Sequence, residues 1–369
     1  MMISPANPKA SYDKRAALIK EALSRVLESG IYLHGNETKG FESEFAHYVG
    51  ARVCLGVGSG TQALYLALKC FDVGSGDEVI MPAHTATASL AAVALTGARA
   101  VLVDVEADSF TLDIEAVKKA WTPQTKAIMP VHLYGHPARM DELMDFAQEK
   151  HLRVVEDCAQ AHGAEFSGQQ VGSFGDIGCF SFYPTKNLGA FGDAGALVFR
   201  DDAFVEKAKA LREYGWKEKF YSEVQGVNAR MDELHAAVLR VKLESLNEDN
   251  ARRRQIAKTY SEGLEGLDLM IPQTAANVTH VFHQYVVRSV RRDALRSFLH
   301  EKGIGTGIHY PHGLHQQPGF QDAIRVPGSL ACTERMLSDI ASLPMYPELA
   351  EEDVRRVIDA IHAFYHEGI

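Results

Sequence analysis

The sequence predicts an α/β protein built on a mostly parallel, doubly wound sheet, with a smaller α/β domain after it. Between residues 50 and 200, short apolar runs alternate with amphipathic stretches of helical length, which is the pattern of strands joined by crossover helices. The chain has 369 residues, more than one hydrophobic core usually organises. We therefore expect a large domain over residues 1–248, with a helical segment at its N-terminus, and a smaller domain over residues 249–369.

Seven apolar runs predict the strands of the large sheet: Arg52–Val57, Glu78–Met81, Ala100–Val105, Ala127–Val131, Arg153–Glu156, Gly178–Phe182 and Ala196–Phe199. Four stretches between them predict helices: Thr61–Phe71, Thr85–Leu95, Ile114–Trp121 and Met140–Lys150. A sheet of this kind binds its ligand at the carboxyl ends of its strands, so we expect the functional residues there.

The C-terminal part of the chain begins with a long segment without proline. This segment, Met231–Ser261, predicts one helix that leads out of the large domain. Beyond it, the hydrophobic patterns predict a strand at Gln284–Val290 and helices at Arg292–Glu301 and Leu349–His366.

The charge and the cysteine content exclude several classes of protein. A net charge of −10 argues against a nucleic-acid-binding surface, which needs clustered lysine and arginine. The five cysteines are widely spaced and form no C-x-x-C pair, so we expect free thiols in a reducing compartment and no metal site. No apolar segment has the length of a membrane span, and the N-terminus lacks the apolar core of a signal peptide. We expect a soluble, cytoplasmic protein.

Two short stretches at predicted strand ends carry residues suited to bind charged groups. Gly58-Ser59-Gly60-Thr61 follows the first strand and opens a helix, where small residues and free N–H groups favour phosphate binding. An ordinary strand–helix turn is the alternative. Glu156-Asp157 ends another strand, so that Asp157 faces the expected ligand crevice, unless it only caps the helix that follows.

A third stretch, Phe180–Gly189, places Lys186 among aromatic and small residues in a loop after a strand. Desolvation lowers the pKa of such an amine and makes it a nucleophile, although a lone lysine in a loop is more often structural. A phosphate cradle, an acid and a desolvated lysine together are what pyridoxal 5'-phosphate (PLP) requires. We therefore expect PLP linked to Lys186, with Asp157 keeping its ring nitrogen protonated and Ser181 contacting its phosphate.

Five stretches resemble the DegT/DnrJ/EryC1/StrS family of sugar-nucleotide aminotransferases: Gly58–Leu64, Pro130–Gly135, Glu156–Ala164, Phe180–Gly189 and Gly226–Ala237. The resemblance runs from about Ser29 to the C-terminal helix, nearly the whole chain. It implies the aspartate-aminotransferase-like fold (fold type I), PLP as the cofactor, and a homodimer whose active sites lie at the subunit interface.

The resemblance also assigns roles to individual residues. Lys186 corresponds to the Schiff-base lysine and Asp157 to the partner of the pyridinium nitrogen, which makes these two the catalytic residues. Gln160 corresponds to a residue that contacts the ring hydroxyl. The other cofactor contacts that it implies are Gly60, Thr61, Ser181 and, from the partner subunit, Asn228. Candidates for the substrate site, with an ordinary structural role as the alternative, are Tyr183, Lys219, His309 and Tyr310.

One position departs from the family pattern. Many relatives carry an aromatic residue, stacked on the cofactor ring, two positions after an Asn or His. Here Ala86 occupies that position, in the stretch Pro82-Ala83-His84-Thr85-Ala86. Either His84 covers the ring, or the ring packs against a small face at Ala86.

The resemblance implies transamination, with L-glutamate as the amino donor and a nucleotide-linked keto-6-deoxyhexose as the acceptor. The stretches Lys219–Leu246 and Arg252–Tyr260 resemble enzymes that aminate C3 of dTDP-linked 3-keto-6-deoxyhexoses, so the resemblance favours this reaction. Amination at C4 of a dTDP-, UDP- or GDP-linked 4-keto sugar is the alternative. A sugar-deoxygenating relative would carry histidine in place of Lys186, and a non-catalytic regulator would lack one or more cofactor residues, so we favour neither.

Overall fold

The computed structural model describes residues 2–366, and its largest sheet has eight strands. In chain order the strands of the molecule are β1 (Val53–Val57), β2 (Glu78–Pro82), β3 (Arg99–Val103), β4 (Thr125–Ile128), β5 (Arg153–Asp157), β6 (Glu165–Phe166), β7 (Gln169–Gln170), β8 (Ile177–Ser181), β9 (Gly195–Phe199), β10 (Trp216–Glu218), β11 (Tyr221–Ser222), β12 (Val278–Thr279), β13 (Tyr285–Arg288), β14 (Ile324–Arg325) and β15 (Ile340–Leu343).

The large sheet has the strand order β1-β9-β8-β5-β4-β2-β3-β14. Neighbouring strands from β8 to β14 run parallel, whereas β9 is antiparallel to both β1 and β8. Its inner strands are buried along almost their whole length, as expected where helices cover both faces, and this is why they read as continuous apolar runs. All seven predicted strands are present, and the predicted fold class is confirmed.

Twelve α-helices accompany these strands in the described residues: α1 (Pro8–Ser29), α2 (Asn36–Val49), α3 (Gly60–Cys70), α4 (Thr87–Thr96), α5 (Ile114–Ala120), α6 (Met140–Glu149), α7 (Val205–Arg212), α8 (Glu233–Leu243), α9 (Leu246–Leu264), α10 (Arg292–Glu301), α11 (Ala331–Asp339) and α12 (Glu351–His366). The four helices predicted between the strands of the large sheet correspond to α3, α4, α5 and α6. Within residues 2–366, no helix is both long and apolar enough to cross a membrane.

The single helix predicted over Met231–Ser261 is wrong, because two helices, α8 and α9, occupy this segment. The backbone of Ser245 leaves the helical region between them. A guanidinium on α1 holds this break: Nε and Nη2 of Arg15 donate hydrogen bonds of 2.9 and 2.6 Å to the Ser245 hydroxyl. A contact across 230 residues of sequence is invisible to a pattern that considers only neighbouring positions.

The C-terminal part contains the predicted strand, β13, and the predicted helices, α10 and α12. Strands β13 and β15 form an antiparallel pair, while β14 leaves this part of the chain to become the edge strand of the large sheet beside β3. Helix α9 runs continuously past residue 248. The division into domains 1–248 and 249–369 stays a prediction.

An aromatic cluster fixes the loop that follows β8. Helix α2 places Phe41 and Phe45 against Phe182, with ring centroids 5.2 and 5.3 Å apart and nearly perpendicular planes. Phe45 also packs against Phe180 at 5.0 Å. All four rings are at most 1% exposed, and burying each one contributes about 2 kcal/mol. The start of the loop after β8, at Phe182, is therefore fixed by its packing in the hydrophobic core.

Candidate active site

The predicted site residues converge on one cavity of about 350 Å³ beside the carboxyl ends of the central strands. This volume lies within the range of small-molecule and cofactor sites. Ten of the twelve predicted residues line it: Gly60, Thr61, Ala86, Asp157, Gln160, Ser181, Tyr183, Lys186, His309 and Tyr310.

A phosphate-sized cradle lies at the start of α3. The Ser59 hydroxyl accepts a hydrogen bond of 3.2 Å from the amide of Gln62 and so caps the helix. The amides of Gly60 and Thr61 stand in the first turn, where an α-helix offers no internal acceptor. A Cβ atom on Gly60 would lie 2.7 Å from Cβ of Ser181, so only glycine lets this turn approach Ser181. The free amides, the helix dipole and the hydroxyls of Thr61 and Ser181 together form a site suited to an anion.

The carboxylate of Asp157 lies at the end of β5 and is buried. Burial raises its pKa, while hydrogen bonds from the Ser89 hydroxyl (2.7 Å) and the Ala159 amide (3.1 Å) and the positive charge of Lys186 lower it. A cationic ring nitrogen placed against this carboxylate would favour its ionised form. Asp157 therefore suits a pyridinium partner.

The amine of Lys186 shares the cavity with Asp157. Its loop turns back on itself, because the Lys186 amide donates a hydrogen bond of 2.9 Å to the carbonyl of Tyr183. Although part of the residue stays accessible, burial of the amine lowers its pKa to about 8, against the opposing effect of Asp157. A lysine with this pKa holds a substantial fraction of neutral amine near pH 8, as a nucleophile requires.

Gln160 links two tyrosines at the wall of the cavity. Its Oε1 accepts a hydrogen bond of 2.7 Å from the amide of Tyr134, and its Nε2 donates one of 2.9 Å to the hydroxyl of Tyr310. The Tyr134 hydroxyl in turn contacts Nε2 of His84, at 2.8 Å, and the carbonyl of His309. The side-chain amide of Gln160 therefore connects the backbone of Tyr134 to the hydroxyl of Tyr310 at this wall.

Ala86, and not His84, lines the cavity. His84 is 1% exposed, and its ring is directed toward the hydroxyl of Tyr134. Burial lowers the pKa of His84 to about 4, so its ring is neutral. Of the two alternatives for the face at this position, the geometry favours packing against the small side chain of Ala86.

Two predicted residues lie outside the cavity of their own chain. Lys219 is exposed in the turn between β10 and β11, with its amine 5.2 Å from the ring centroid of Phe220. Asn228 is also exposed, and its Oδ1 accepts a hydrogen bond of 3.1 Å from Nε of Arg230. The structure therefore does not bring either residue to the other ten within one chain.

Among the polar residues of the cavity wall that the sequence does not predict are Asp193, His283 and Gln284. Asp193 precedes β9, and His283 and Gln284 directly precede β13. A histidine and a glutamine inside the apolar run from Val281 to Val287 are a signal that could have identified the last two. The residue pattern alone does not bring Asp193 to the site, because its position depends on how β9 inserts between β1 and β8.

Glu156, next to the catalytic candidate Asp157, has a structural role. Its two oxygens accept a contact of 3.1 Å from Nε2 of His132 and three backbone N–H bonds of 2.7–2.9 Å. These amides belong to Gly172, Phe174 and Gly175. The side chains of His132, Glu156 and Cys158 come within 4.8 Å of one another, but Glu156 already uses both oxygens. That no metal binds stays a prediction.

A second, larger cleft of about 680 Å³ lies between α9 and β12. Its wall mixes positive and negative side chains, including Arg254, Lys258 and Glu165, and includes none of the predicted site residues. Size alone does not identify a site, and the chemistry that the sequence predicts lies in the smaller cavity.

Comparison with known proteins identifies the family. The model of the DegT/DnrJ/EryC1/StrS aminotransferase family matches residues 13–362. The chain belongs to this family. Membership confirms the predicted fold, the PLP cofactor and the enzyme class, a PLP-dependent aminotransferase.

Two relatives and one solved structure show how far the likeness extends. The dTDP-3-amino-3,4,6-trideoxy-α-D-glucose transaminase of Streptomyces venezuelae is 46% identical over 354 residues, which cover 96% of this chain and 93% of the relative. The UDP-N-acetyl-3-dehydro-α-D-glucosamine 3-aminotransferase of Acidithiobacillus ferrooxidans is 43% identical, with 94% of each chain covered. The crystal structure of DesV from S. venezuelae, in complex with a ketimine intermediate, superposes with a TM-score of 0.96 at 45% identity and covers 99% of this chain and 98% of that one.

Proposed function

We propose that this enzyme transfers an amino group from L-glutamate to C3 of a dTDP-linked 3-keto-6-deoxyhexose. The observation that supports this choice of substrate is the near full-length likeness, at 46% identity, to a transaminase whose product is a dTDP-3-amino sugar. The relative at 43% identity is also a 3-aminotransferase, although its sugar is linked to UDP. Two relatives with different nucleotides but the same carbon support the position of amination more strongly than the identity of the nucleotide.

Lys186 is the residue that binds the cofactor covalently and then moves the proton. When bound, PLP supplies an electron sink for the carbon that loses its proton. With PLP bound, the free amine of Lys186 would accept this proton as a general base and then give it back as a general acid. A pKa of about 8 suits both directions, because neither protonation state is strongly favoured.

The other cofactor contacts hold the two ends of PLP. The amides of Gly60 and Thr61, with the hydroxyl of Ser181, form the cradle that suits the phosphate. At the opposite end the Asp157 carboxylate suits the protonated ring nitrogen, which it keeps charged. Ala86 contributes a small face and Gln160 a polar group at the wall.

The substrate side of the cavity is lined by Tyr183, His309 and Tyr310. Tyr183 is 51% exposed, and so stands at the entrance, where a nucleotide would enter. Lys219 and Asn228 are exposed outside their own cavity, and a homodimer would let them reach the cavity of the partner. We propose such a homodimer, located in the cytoplasm, with each site completed by the other subunit.

The test is the reaction with defined acceptors. The PLP-loaded protein is incubated with L-glutamate and either a dTDP-linked 3-keto or 4-keto 6-deoxyhexose, and the product is identified by mass and NMR. We expect multiple turnovers that yield the 3-amino sugar. A 4-amino product would overturn the C3 assignment, and no turnover with either acceptor would overturn the dTDP-linked substrate.

Borohydride reduction tests the role of Lys186 separately. We expect reduction to bleach the visible band of the PLP-loaded protein and to leave the cofactor on the peptide that contains Lys186. Lys186→Ala should lose both the band and turnover, while Lys209→Ala, at an exposed lysine of α7, should keep both. Reduced cofactor on another lysine would contradict the assignment.

A further inference from the structure

The backbone around Asn228 is held firmly by its own chain, although the side chain of Asn228 is exposed. The amide of Ala229 donates a hydrogen bond of 3.1 Å to the carbonyl of Arg212. The carbonyl of Asn228 accepts one of 3.3 Å from Nε2 of Gln62, in the first turn of α3. The backbone of Asn228 is therefore fixed, and the direction of its side-chain amide depends on a different contact.

Arg230 sets the direction of this amide. Its Nε lies 3.1 Å from Oδ1 of Asn228. A guanidinium N–H can only donate, so the amide atom that faces it must be the oxygen, because a flipped amide would bring N–H groups together. The NH₂ group of Asn228 therefore points away from Arg230. Among residues 2–366, this NH₂ group has no hydrogen-bond partner, so both of its N–H donors are available to a ligand.

Neighbouring groups hold Arg230 in turn. Its guanidinium carbon lies 5.9 Å from the ring centroid of Tyr214, and its Nη1 lies 4.0 Å from Oε1 of Glu213. Glu213 forms an isolated β-bridge with Asn228, and its carboxylate contacts Nε2 of His34. The side chain of Arg230 is only 22% exposed. These contacts favour one position of the guanidinium over a solvated, freely rotating one.

We propose that Arg230 is a positioning residue, which turns the NH₂ group of Asn228 toward the PLP phosphate in the cavity of the partner subunit. The inference rests on the proposed function, in which Asn228 completes that cavity. A fully ionised phosphate offers only acceptors, so it attracts the NH₂ group and repels the amide oxygen. An amide that already points the right way loses less conformational freedom when the phosphate binds.

Two substitutions separate the hydrogen bond of Arg230 from its charge. Arg230→Gln places an NH₂ group at the same point along the side chain as Nε, so it keeps the donor and loses the charge. Arg230→Lys places a methylene there, so it keeps the charge and loses the donor. The Kd for PLP is measured by titration of the cofactor-free protein. We expect Arg230→Gln to stay within about twofold of the wild type and Arg230→Lys to raise Kd about fivefold.

The matched pair has a clear contrary result. The proposal is overturned if Arg230→Lys keeps the wild-type affinity, or if Arg230→Gln loses as much affinity as Arg230→Lys. Should Arg230→Lys fail to fold, Arg230→Met replaces it, because it is neutral like Arg230→Gln and differs from it in lacking the donor. Arg355→Lys, at an exposed arginine of α12, is the control and should leave Kd unchanged.

Pyridoxal, which lacks the phosphate, separates positioning from a general structural role. Arg230→Lys should weaken the binding of PLP and leave the Kd for pyridoxal at the wild-type value, because the oriented amide serves only the phosphate. Equal losses for the two compounds would mean that Arg230 merely supports the fold around the site, which would overturn the proposal.

A double-mutant cycle tests whether Arg230 acts through Asn228. Asn228→Ala removes a hydrogen bond to a charged group and should raise the Kd for PLP about tenfold or more. In that background Arg230→Lys should add nothing, because no amide remains to be turned. A further fivefold loss would mean that the guanidinium contacts the phosphate itself, and an unchanged Kd in Asn228→Ala would leave nothing to position. Either result overturns the proposal.

Failure of the proposed function would appear in a different place. The wild-type protein would then show no turnover, or it would carry the reduced cofactor on a lysine other than Lys186. Failure of the positioning role leaves the wild-type band, the labelled peptide and turnover intact, and it appears only in the Kd values of the variants.

Discussion

The hydroxyl of Ser89 donates a hydrogen bond of 2.7 Å to Oδ2 of Asp157. Ser89 is completely buried on α4, and the Ala159 amide donates to the other carboxylate oxygen at 3.1 Å. Both bonds favour the charged carboxylate where burial alone would disfavour it. The two bonds offset part of the effect of burial, which still leaves the pKa of Asp157 above its ordinary value.

Removing the charge of Asp157 should reduce kcat/KM far more than removing the Ser89 hydroxyl that donates to it. Asp157→Asn leaves a cationic ring nitrogen without its buried partner, which costs about 3 kcal/mol or more, so kcat/KM should fall at least about a hundredfold. Ser89→Ala removes one hydrogen bond, about 1 kcal/mol, and should lower kcat/KM about fivefold. Steady-state kinetics at saturating PLP measure both. Similar losses in the two variants would mean that the charge of Asp157 is not the important property.

The contact between Gly60 and Ser181 predicts a defect in cofactor affinity. In Gly60→Ala the new methyl group meets Cβ of Ser181 at 2.7 Å, which forces the two walls of the cradle apart at about 1–3 kcal/mol. The Kd for PLP should rise about tenfold or more, as measured by titration of the cofactor-free protein. Gly328→Ala is the control, because a Cβ there meets no atom within 4 Å. Equal affinity in the two variants would contradict a cradle at Gly60.

The lowered pKa of Lys186 predicts how stability varies with pH. The folded protein titrates this amine at about 8 and the unfolded chain near 10.5, so between these values the unfolded state binds more protons and stability rises with pH. At neutral pH the buried ammonium of Lys186 lowers the free energy of unfolding. We expect cofactor-free Lys186→Met to melt above the wild type near pH 7, with the difference shrinking as the pH approaches 10.5. Lys209→Met, at an exposed position, should show no such trend.

Glu156 and Asp157 are adjacent in sequence but should fail in different ways. Glu156→Gln places an NH₂ group among three backbone N–H donors, so the free energy of unfolding should fall by about 3 kcal/mol. Asp157→Asn should leave stability much closer to the wild type. Urea denaturation of the cofactor-free proteins measures both, with Glu149→Gln as a surface control that changes little. If Glu156→Gln were as stable as the wild type, the loop at residues 172–175 would not depend on it.

Local pattern was sufficient to predict seven of the eight strands of the large sheet. It also predicted that Lys186, Asp157 and Gly60 share one cavity, because each of them follows a buried strand or opens a helix. It was insufficient where distant segments decide. The break at Ser245 lies against Arg15, 230 residues earlier in the chain, and the wall residue His283 arrives from a loop far along the chain. Lys219 and Asn228 show a different limit, since a single chain does not reveal what their exposed side chains contact.

A complementation experiment decides whether Asn228 completes the site of a partner. Lys186→Ala and Asn228→Ala should each be inactive or nearly so as homodimers. In a mixed dimer, the subunit that keeps Lys186 receives Asn228 from the other subunit, so one of its two sites is intact. After random exchange half of the dimers are mixed, and about one quarter of the wild-type activity should return.

Mixing Lys186→Ala with Asp157→Asn is the control, because both defects lie in the same cavity. There, each site of a mixed dimer lacks one of the two residues, so no activity should return. A second mixture, of the double variant Lys186→Ala/Asn228→Ala with the wild type, shows whether Asn228 acts in its own chain or in the partner subunit. In that mixed dimer neither site has both residues if Asn228 crosses the interface, whereas one site keeps both if Asn228 serves its own chain.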